Sequence, residues 1–395
     1  MIPSHGPKQT CQIAIVSDRP SKDELLHNLP LVGSAGKLLN ELLGKAGLRR
    51  SLYETYIPGF GSKVTLNSPD IYVTMVAPEE APEDNDFEKS YYEKPHKKGV
   101  PTSKLLHFYD SLRDDLAGCS ANVIVALGEH SLRALCNKRG ITNWRGSILD
   151  STLLPGRKVI PIVHPEKILR EWYYRSLTIH DLKRIAKQST FPEIRRPYRD
   201  YVLRPTIKDV EFFYETRYRN ADKLSLDIET KGSSISCVGF SDSRSHALVI
   251  PFISEGGHYW KTVEEEIFAW KVVANLCAGP SKKILQNAQF DWSHLASHGC
   301  PLTNVWWDTM LAQSILYPEL EKSLAMLTSI YTEEPYYKAE GRAALKNKSD
   351  KSWSPSQNDD KLWLYNARDC AVTYEVAEEQ NVEFIELGRE RRISL

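Results

Sequence analysis

The stretch LSLDIET, residues 224–230, alternates apolar with polar side chains and places Asp227 and Glu229 two positions apart. This alternation predicts a β-strand that carries both carboxylates on one face. Two neighbouring carboxylates repel each other unless a cation joins them, so the pattern is compatible with a metal site. Asp-x-Glu alone is common and usually marks an exposed strand face, so this pattern by itself does not establish a metal site.

The sequence around this stretch predicts a mixed sheet in the second half of the chain. A helical run at 208–219 precedes strand patterns at 224–229, 236–242 and 247–252, which Gly and Ser turns separate. Short strands joined by such turns are typical of an antiparallel meander, and helices dominate after residue 261.

Two further segments of the second half carry acidic side chains at informative positions. ILQNAQFDWSHL, residues 284–295, predicts a strand running into a helix and contains Asn287 and Asp291. LWLYNARDCAVTYEV, residues 362–376, places Tyr365 and Asp369 four apart, on one helical face. Taken singly, each segment has an ordinary interpretation. Asp291 fits an acid in the first turn of a helix, which the helix dipole favours, and a Tyr and an Asp four residues apart are common on a helix.

Together, the three segments resemble the ordered motifs of DEDDy-type 3′-to-5′ exonucleases, and in particular the proofreading domain of family A DNA polymerases. The resemblance implies a ribonuclease H-like fold. It also implies that Asp227, Glu229, Asp291 and Asp369 bind two Mg²⁺ or Mn²⁺ ions, which prefer oxygen ligands, and that these ions promote phosphodiester hydrolysis. Tyr365 is expected to orient the attacking water. The implied substrate is DNA with a single-stranded or frayed 3′ end.

Residues 336–353 lie between the second and third motifs and carry five basic and two acidic residues with interspersed aromatics. Aromatic stacking combined with cations is how proteins hold single strands. The predicted DNA contacts are Asn287, Lys338 and Lys346, together with Arg145 of the first half. A lysine-rich loop without a function is an equally good interpretation of this segment.

The first half alternates short apolar strands with amphipathic helices, which predicts a three-layer αβα domain with a parallel sheet. The predicted strands lie at 12–16, 52–57, 122–127 and 158–163, and the predicted helices at 35–46, 103–117 and 166–187. Residues 78–99 lose this periodicity and are interpreted as a mobile surface excursion. The predicted organisation is a first domain at 1–190, a Pro- and Arg-rich linker at 191–205 and an exonuclease domain at 206–395.

The first half also resembles the uracil-DNA glycosylase superfamily, particularly its family 4. The resemblance rests on LVGSAG at 31–36, ALG at 126–128, RG at 145–146 and HP at 164–165. It implies a base pocket with Asp18 in place of the usual Glu, the turn residues Gly33 and Gly36, and His164 as the group that stabilises a departing uracil anion.

The departures from that family pattern predict a degenerate, DNA-binding domain. Leu31 replaces the Phe that stacks on uracil, Pro58 and Gly59 replace a Thr-Asn pair that reads the base, and the four iron-sulfur cysteines are absent. A pocket without these groups discriminates uracil poorly. The alternatives are a bifunctional enzyme that excises uracil and trims the strand, and a non-catalytic nucleic-acid clamp.

Composition excludes several other classes of protein. The chain has 395 residues, with 51 basic and 51 acidic, and seven scattered cysteines without a C-x-x-C. It therefore lacks a disulfide or iron-sulfur signature, and no apolar run is long enough for a membrane span. The first ten residues do not resemble a signal peptide, which predicts the cytoplasm of a bacterium or a phage-infected host. No polymerase signature follows the third motif, which leaves two alternatives open. One is a polymerase domain or subunit as the partner of this chain, and the other is a stand-alone proofreading module.

Overall fold

The computed structural model describes residues 1–50, 71–82, 86–93, 99–338 and 359–393, with side chains up to residue 388. The chain forms two compact units, Met1–Arg195 and Arg196–Leu395. The predicted strand at 52–57, the pair Pro58 and Gly59, and Lys346 lie outside the described residues.

The first unit is built on one main sheet with helices packed against it, and β3 and β4 form a separate two-stranded sheet. Its strands are β1 (Ile13–Ser17), β2 (Ile71–Met75), β3 (Tyr92–Glu93), β4 (Val100–Pro101), β5 (Val123–Leu127), β6 (Leu149–Asp150) and β7 (Lys158–Ile162). Its helices are α1 (Lys22–His27), α2 (Gly33–Lys45), α3 (Phe87–Tyr91), α4 (Ser103–Ala117), α5 (Glu129–Cys136), α6 (Ile141–Trp144), α7 (Pro165–Arg170) and α8 (Tyr174–Gln188).

The sheet of the first unit has the order β2-β1-β5-β7-β6 and is parallel except for β6. Strands β1, β5 and β7 are buried along their whole length, as expected for a parallel sheet covered on both faces. The predicted α/β architecture with a parallel sheet is therefore confirmed for this unit.

Two predictions for the first unit are wrong in detail. The single helix expected at 166–187 is divided into α7 and α8, because Glu171 leaves the helical region with φ −128° and ψ 83°. The segment interpreted as a mobile excursion folds over residues 87–93, where Phe87, Tyr91 and Tyr92 are each at most 3% exposed. Burial of these three rings outweighs the high acidic content of the segment.

The second unit is also built on one main sheet. Its strands are β8 (Asp200–Val202), β9 (Lys223–Lys231), β10 (Ser234–Ser243), β11 (His246–Pro251), β12 (Ile253–Ser254), β13 (Gly257–His258), β14 (Lys282–Leu285) and β15 (Val305–Asp308). Its helices are α9 (Ile207–Phe213), which continues as a π-helical turn over Tyr214–Tyr218, α10 (Val263–Ala278), α11 (Ala288–Ser297), α12 (Thr309–Leu316), α13 (Leu324–Tyr331) and α14 (Asp359–Ile393).

The main sheet of the second unit has the order β15-β14-β9-β10-β11-β8. Strands β9, β10 and β11 form an antiparallel meander, whereas β14 and β15 run parallel to β9. The predicted mixed sheet is confirmed. One face of the sheet packs on α10, and the other face packs on α14 through Trp363, Ala367 and Cys370. In the described part of the chain, no helix combines the length and apolarity that a bilayer span requires.

Candidate active site

The two carboxylates of strand β9 lie on the face of the sheet that α14 covers. Their cross-strand neighbours on β10 are Gly239, opposite Asp227, and Cys237, opposite Glu229. A side chain at Gly239 would overlap Asn366 and approach the Cys370 sulfur to 2.6 Å. Glycine at this position therefore allows α14 to approach the strand that carries Asp227.

Hydrogen bonds hold α14 against β9. The Asn366 side-chain amide donates to the backbone carbonyl of Asp227 at 3.0 Å and to its Oδ2 at 2.8 Å, and the Ser225 hydroxyl donates to the carbonyl of Cys370 at 2.7 Å. Asn366 is fully buried. Since Asp369 lies one turn after Asn366, this docking brings the last predicted carboxylate beside the first two.

The result is a compact acidic cluster. Oxygen atoms of Asp227, Glu229 and Asp369 lie within 4.8 Å of one another. Carboxylate oxygens at this spacing are suitable ligands for hard divalent cations such as Mg²⁺ and Mn²⁺. The donor set therefore fits the metal that the sequence resemblance implies.

Asp291 approaches the same strand from helix α11. Its Oδ1 accepts a hydrogen bond at 3.1 Å from the backbone amide of Ile228, the residue between Asp227 and Glu229. Helix α11 is held in place by Asp308, whose carboxylate accepts from the backbone amides of Asn287 at 3.2 Å and Ala288 at 2.8 Å. Asp291 is outside the mutual 4.8 Å group, but it borders the cluster through this backbone contact.

The electrostatics of the cluster favour cation binding. Burial, reinforced by repulsion from Asp369, Asp291 and Glu229, raises the pKa of Asp227 well above its usual range. Burial and the charge of Asp369 raise the pKa of Glu229 to about 8, and burial raises the pKa of Asp291 to about 7. Carboxylates that resist ionisation together become easy to ionise when a cation lies between them.

Lys338 belongs to this cluster rather than to an exposed DNA-binding surface. It is 8% exposed, and its ammonium contacts Asp369 Oδ2 and donates to the Tyr365 hydroxyl at 2.8 Å. The Tyr337 hydroxyl donates to the other Asp369 oxygen at 2.6 Å. The predicted DNA contact Lys338 thus lies among the carboxylates of the cluster, and its contact with DNA stays a prediction.

Sequence reasoning missed Asn366 and Tyr337 as members of the site. Asn366 directly follows Tyr365 in the third motif, and this position was the one feature of the sequence that could have indicated its role. Tyr337 is one of the interspersed aromatic residues of the basic segment 336–353, and the composition of that segment does not indicate a contact with Asp369. Asn287, predicted to contact DNA, is exposed and has a left-handed backbone with φ 62° at the start of α11.

The first unit brings together two of the predicted pocket residues. Asp18 and His164 line a cavity of about 590 Å³ at the carboxyl ends of β1 and β7, and His164 Nε2 lies 3.5 Å from the Ser17 hydroxyl. Asp18 accepts from the Ser131 amide at 2.7 Å, and burial raises its pKa to about 7. Burial lowers the pKa of His164.

The turn residues Leu31, Gly33 and Gly36 are not among the residues that line this cavity. Leu31 is 2% exposed within the apolar core, and its carbonyl accepts from Arg50 at 2.9 Å. Any side chain at Gly36 would overlap that carbonyl. Leu31 has a left-handed backbone, with φ 53°, and its side chain belongs to the apolar core.

Arg145 is a core residue, and its prediction as a DNA contact is wrong. Its guanidinium is 1% exposed and forms a bidentate pair with Asp181, with N–O distances of 2.8 and 2.6 Å. Asp181 is fully buried. A guanidinium paired in this way has no surface to offer a phosphate, and its role is to satisfy a buried carboxylate.

Comparison with known proteins matches each unit to a different family. Residues 3–183 match the uracil DNA glycosylase superfamily, and residues 209–382 match a 3′-5′ exonuclease family named for family A DNA polymerases. These ranges cover the glycosylase-like motifs of the first unit and the acidic cluster of the second.

Three relatives illustrate these matches. The type-4 uracil-DNA glycosylase of Archaeoglobus fulgidus is 28% identical over 47% of this chain and 80% of its own length. That of Thermotoga maritima is 30% identical over 40% of this chain and 67% of its own length. The DNA polymerase of Bacillus phage SP01 is 24% identical over 44% of this chain, but the chain spans only 15% of that polymerase.

Proposed function

Since this chain belongs to the uracil-DNA glycosylase superfamily through its first unit and carries a 3′-5′ exonuclease domain in its second, we propose that it removes nucleotides from DNA 3′ ends with two divalent cations. The observation that carries the proposal is the cluster of Asp227, Glu229 and Asp369, whose oxygens lie within 4.8 Å of one another. The limited match to a phage polymerase favours proofreading beside a polymerase domain or subunit as the setting.

The four carboxylates have separate parts in this proposal. Asp227 and Glu229 on β9 and Asp369 on α14 hold the cations, and Asp291 on α11 borders the same cluster. When bound, Mg²⁺ or Mn²⁺ activates the attacking water and stabilises the negative charge of the phosphoryl group and the leaving oxygen.

Tyr365 positions the water that attacks the phosphodiester. Its hydroxyl accepts a hydrogen bond at 2.8 Å from the Lys338 ammonium, which also contacts Asp369, so the hydroxyl is held beside the acidic cluster. A tyrosine held in this way keeps the water beside the phosphoryl group without taking its proton, and orientation of this kind is a large part of hydrolytic catalysis.

The test uses the full chain and matched DNA and RNA single strands labelled at the 5′ end. With Mg²⁺ or Mn²⁺, the DNA strand is expected to shorten stepwise from its 3′ end, and chelation by EDTA should stop the reaction. When the labelled DNA strand is annealed to a template, a mismatched 3′ terminus should be removed faster than a paired one. Internal cleavage, or shortening that persists in EDTA, would contradict the proposal, and faster loss of RNA would correct the substrate class.

For the first unit we propose DNA binding without efficient uracil excision. Leu31 lies in the core, where it cannot stack on a base. Incubation with a uracil-containing duplex followed by alkali should leave the strand intact, as with a thymine control. Cleavage at uracil would instead support the bifunctional alternative, for which the placement of His164 and Asp18 beside one cavity is the favourable observation.

A further inference from the structure

The ammonium of Lys338 is enclosed by the side chains of the exonuclease site. It contacts Asp369 Oδ2, donates to the Tyr365 hydroxyl at 2.8 Å, and lies 4.3 Å from the centre of the Tyr365 ring. Only 8% of the residue is exposed. Burial of an ammonium is costly unless several groups compensate it, and here a carboxylate, a hydroxyl and an aromatic face do so.

The segment that carries Lys338 is anchored to the same framework. Glu334 pairs with Arg199 at 3.3 Å and with Arg368, the neighbour of Asp369, at 3.5 Å. Tyr337 is 3% exposed and donates to Asp369 at 2.6 Å. Lys338 is therefore held at the cluster by the residues that precede it, unlike a long side chain that samples many positions on a surface.

The charges at the site indicate a role for Lys338. The carboxylates of Asp227, Glu229, Asp291 and Asp369 carry four negative charges, which two divalent cations balance. A phosphodiester then brings one further negative charge, and the Lys338 ammonium supplies one positive charge at the same place. Fixed charges that face the reacting group are the most effective form of electrostatic stabilisation.

We propose that Lys338 is a positioning residue of the exonuclease reaction, an inference that rests on the proposed function. Its ammonium holds Asp369 and the Tyr365 hydroxyl in place and balances the charge of the incoming phosphodiester. Because the same ammonium shares Asp369 with a metal cation, its removal has two opposite effects. Divalent cations bind more tightly, while hydrolysis becomes slower.

The experiment compares Lys338→Met and Lys338→Arg with a control, Lys271→Met, which removes an exposed lysine of α10. The affinity for Mn²⁺ is measured without DNA, from the electron paramagnetic resonance signal of free Mn²⁺. Hydrolysis of a DNA single strand gives kcat and KM at saturating Mn²⁺.

For Lys338→Met we expect Mn²⁺ to bind about tenfold more tightly, since a repulsive charge beside the cation is lost. We expect kcat to fall about a hundredfold, the usual effect of removing one group that stabilises the reacting charge. Lys338→Arg should keep the weaker Mn²⁺ affinity and recover part of kcat, and Lys271→Met should resemble the wild type in both measurements.

A folded Lys338→Met variant that binds Mn²⁺ no more tightly than the wild type would overturn the proposal, and so would an unchanged kcat. A purely structural role predicts that metal binding and hydrolysis weaken together. If the Met variant fails to fold, Lys338→Gln provides the same comparison with a polar head group. An inactive wild type would overturn the proposed function itself, whereas an active wild type matched by an equally active Lys338→Met would overturn this inference alone.

Discussion

The acidic cluster of the second unit and the cavity of the first unit differ in how well their motifs converge. In the second unit, Asp369 of α14 meets Asp227 and Glu229 of β9 within 4.8 Å, although it follows them by about 140 residues in the chain. In the first unit, Asp18 and His164 line one cavity, but Leu31 and Arg145 are buried elsewhere. Periodicity predicts that Asp227 and Glu229 share one face of a strand, and the motif resemblance adds Asp369. The burial of a turn residue such as Leu31 depends on backbone angles, which neither signal predicts.

The largest difference between the two units is expected in catalysis. Asp227→Asn should lower exonuclease activity by about a thousandfold or more, because it removes a ligand charge at the centre of the cluster. Asp222→Asn, at an exposed position just before the same strand, should retain activity. Release of labelled nucleotide from a DNA 3′ end measures both variants. An Asp227→Asn variant with more than a tenth of wild-type activity would contradict the claim that the second unit holds the catalytic carboxylates.

Arg145→Met tests whether the first unit uses this arginine for stability. Removal of one partner from a buried pair leaves Asp181 uncompensated, and we expect the free energy of unfolding to fall by about 3 to 5 kcal/mol. Urea denaturation measures this change. The exposed Arg139 supplies the control, Arg139→Met, which should change stability by less than about 0.5 kcal/mol. Weaker DNA binding with unchanged stability would restore the DNA-contact interpretation.

Divalent cations should stabilise the second unit selectively. At about one hundred times its dissociation constant, Mn²⁺ is expected to raise the free energy of unfolding of this unit by about 2.7 kcal/mol. Calorimetry should show the shift in one transition, and Asp227→Asn should reduce it. An equal shift in the transition of the first unit, or no shift in either transition, would contradict selective cation binding by the second unit.

The smallest expected effect concerns Asp18 in the first unit. Because burial raises its pKa to about 7, the folded state retains a proton that the unfolded state releases near pH 4. The contribution to stability is therefore full at low pH, declines as the pH rises to about 7, and is constant above that value. At pH 8, Asp18→Asn should raise the free energy of unfolding by about 1 kcal/mol, because it removes a buried charge. The gain is smaller than the pKa shift alone implies, since the substitution also weakens the hydrogen bond from the Ser131 amide.

Urea titrations at pH 5 and pH 8 measure this difference. Asp114→Asn changes an exposed carboxylate of the same unit and should show no such pH-dependent gain. A gain for Asp18→Asn that is larger at pH 5 than at pH 8 would show that the sign of the shift is wrong.

Much of the fold follows from periodicity in the sequence. The strand β9 was predicted from the alternation around Asp227, and helix α4 was predicted with its observed bounds, Ser103–Ala117. Local pattern could not separate α7 from α8, since a single change of backbone angles at Glu171 ends the first helix. It also could not identify the buried rings of residues 87–93, whose partners lie on other elements.

The limits were similar at the candidate site. The roles of Asp227 and Asp369 are implied by the resemblance of the three ordered motifs to DEDDy-type exonucleases, since each acid taken singly has an ordinary interpretation. The roles of Asn366, Tyr337 and Lys338 depend on contacts across the fold. The same is true of Arg145, whose exposure could not be judged without knowing that Asp181 lies beside it.

The most direct measurement of the central claim is the anomalous scattering of Mn²⁺ in crystals of the full chain. The account predicts two peaks, about 4 Å apart, bounded by Asp227, Glu229, Asp291 and Asp369. Both peaks should weaken or disappear in Asp227→Asn crystals. Ordered crystals in saturating Mn²⁺ with no peak at these carboxylates would contradict the account.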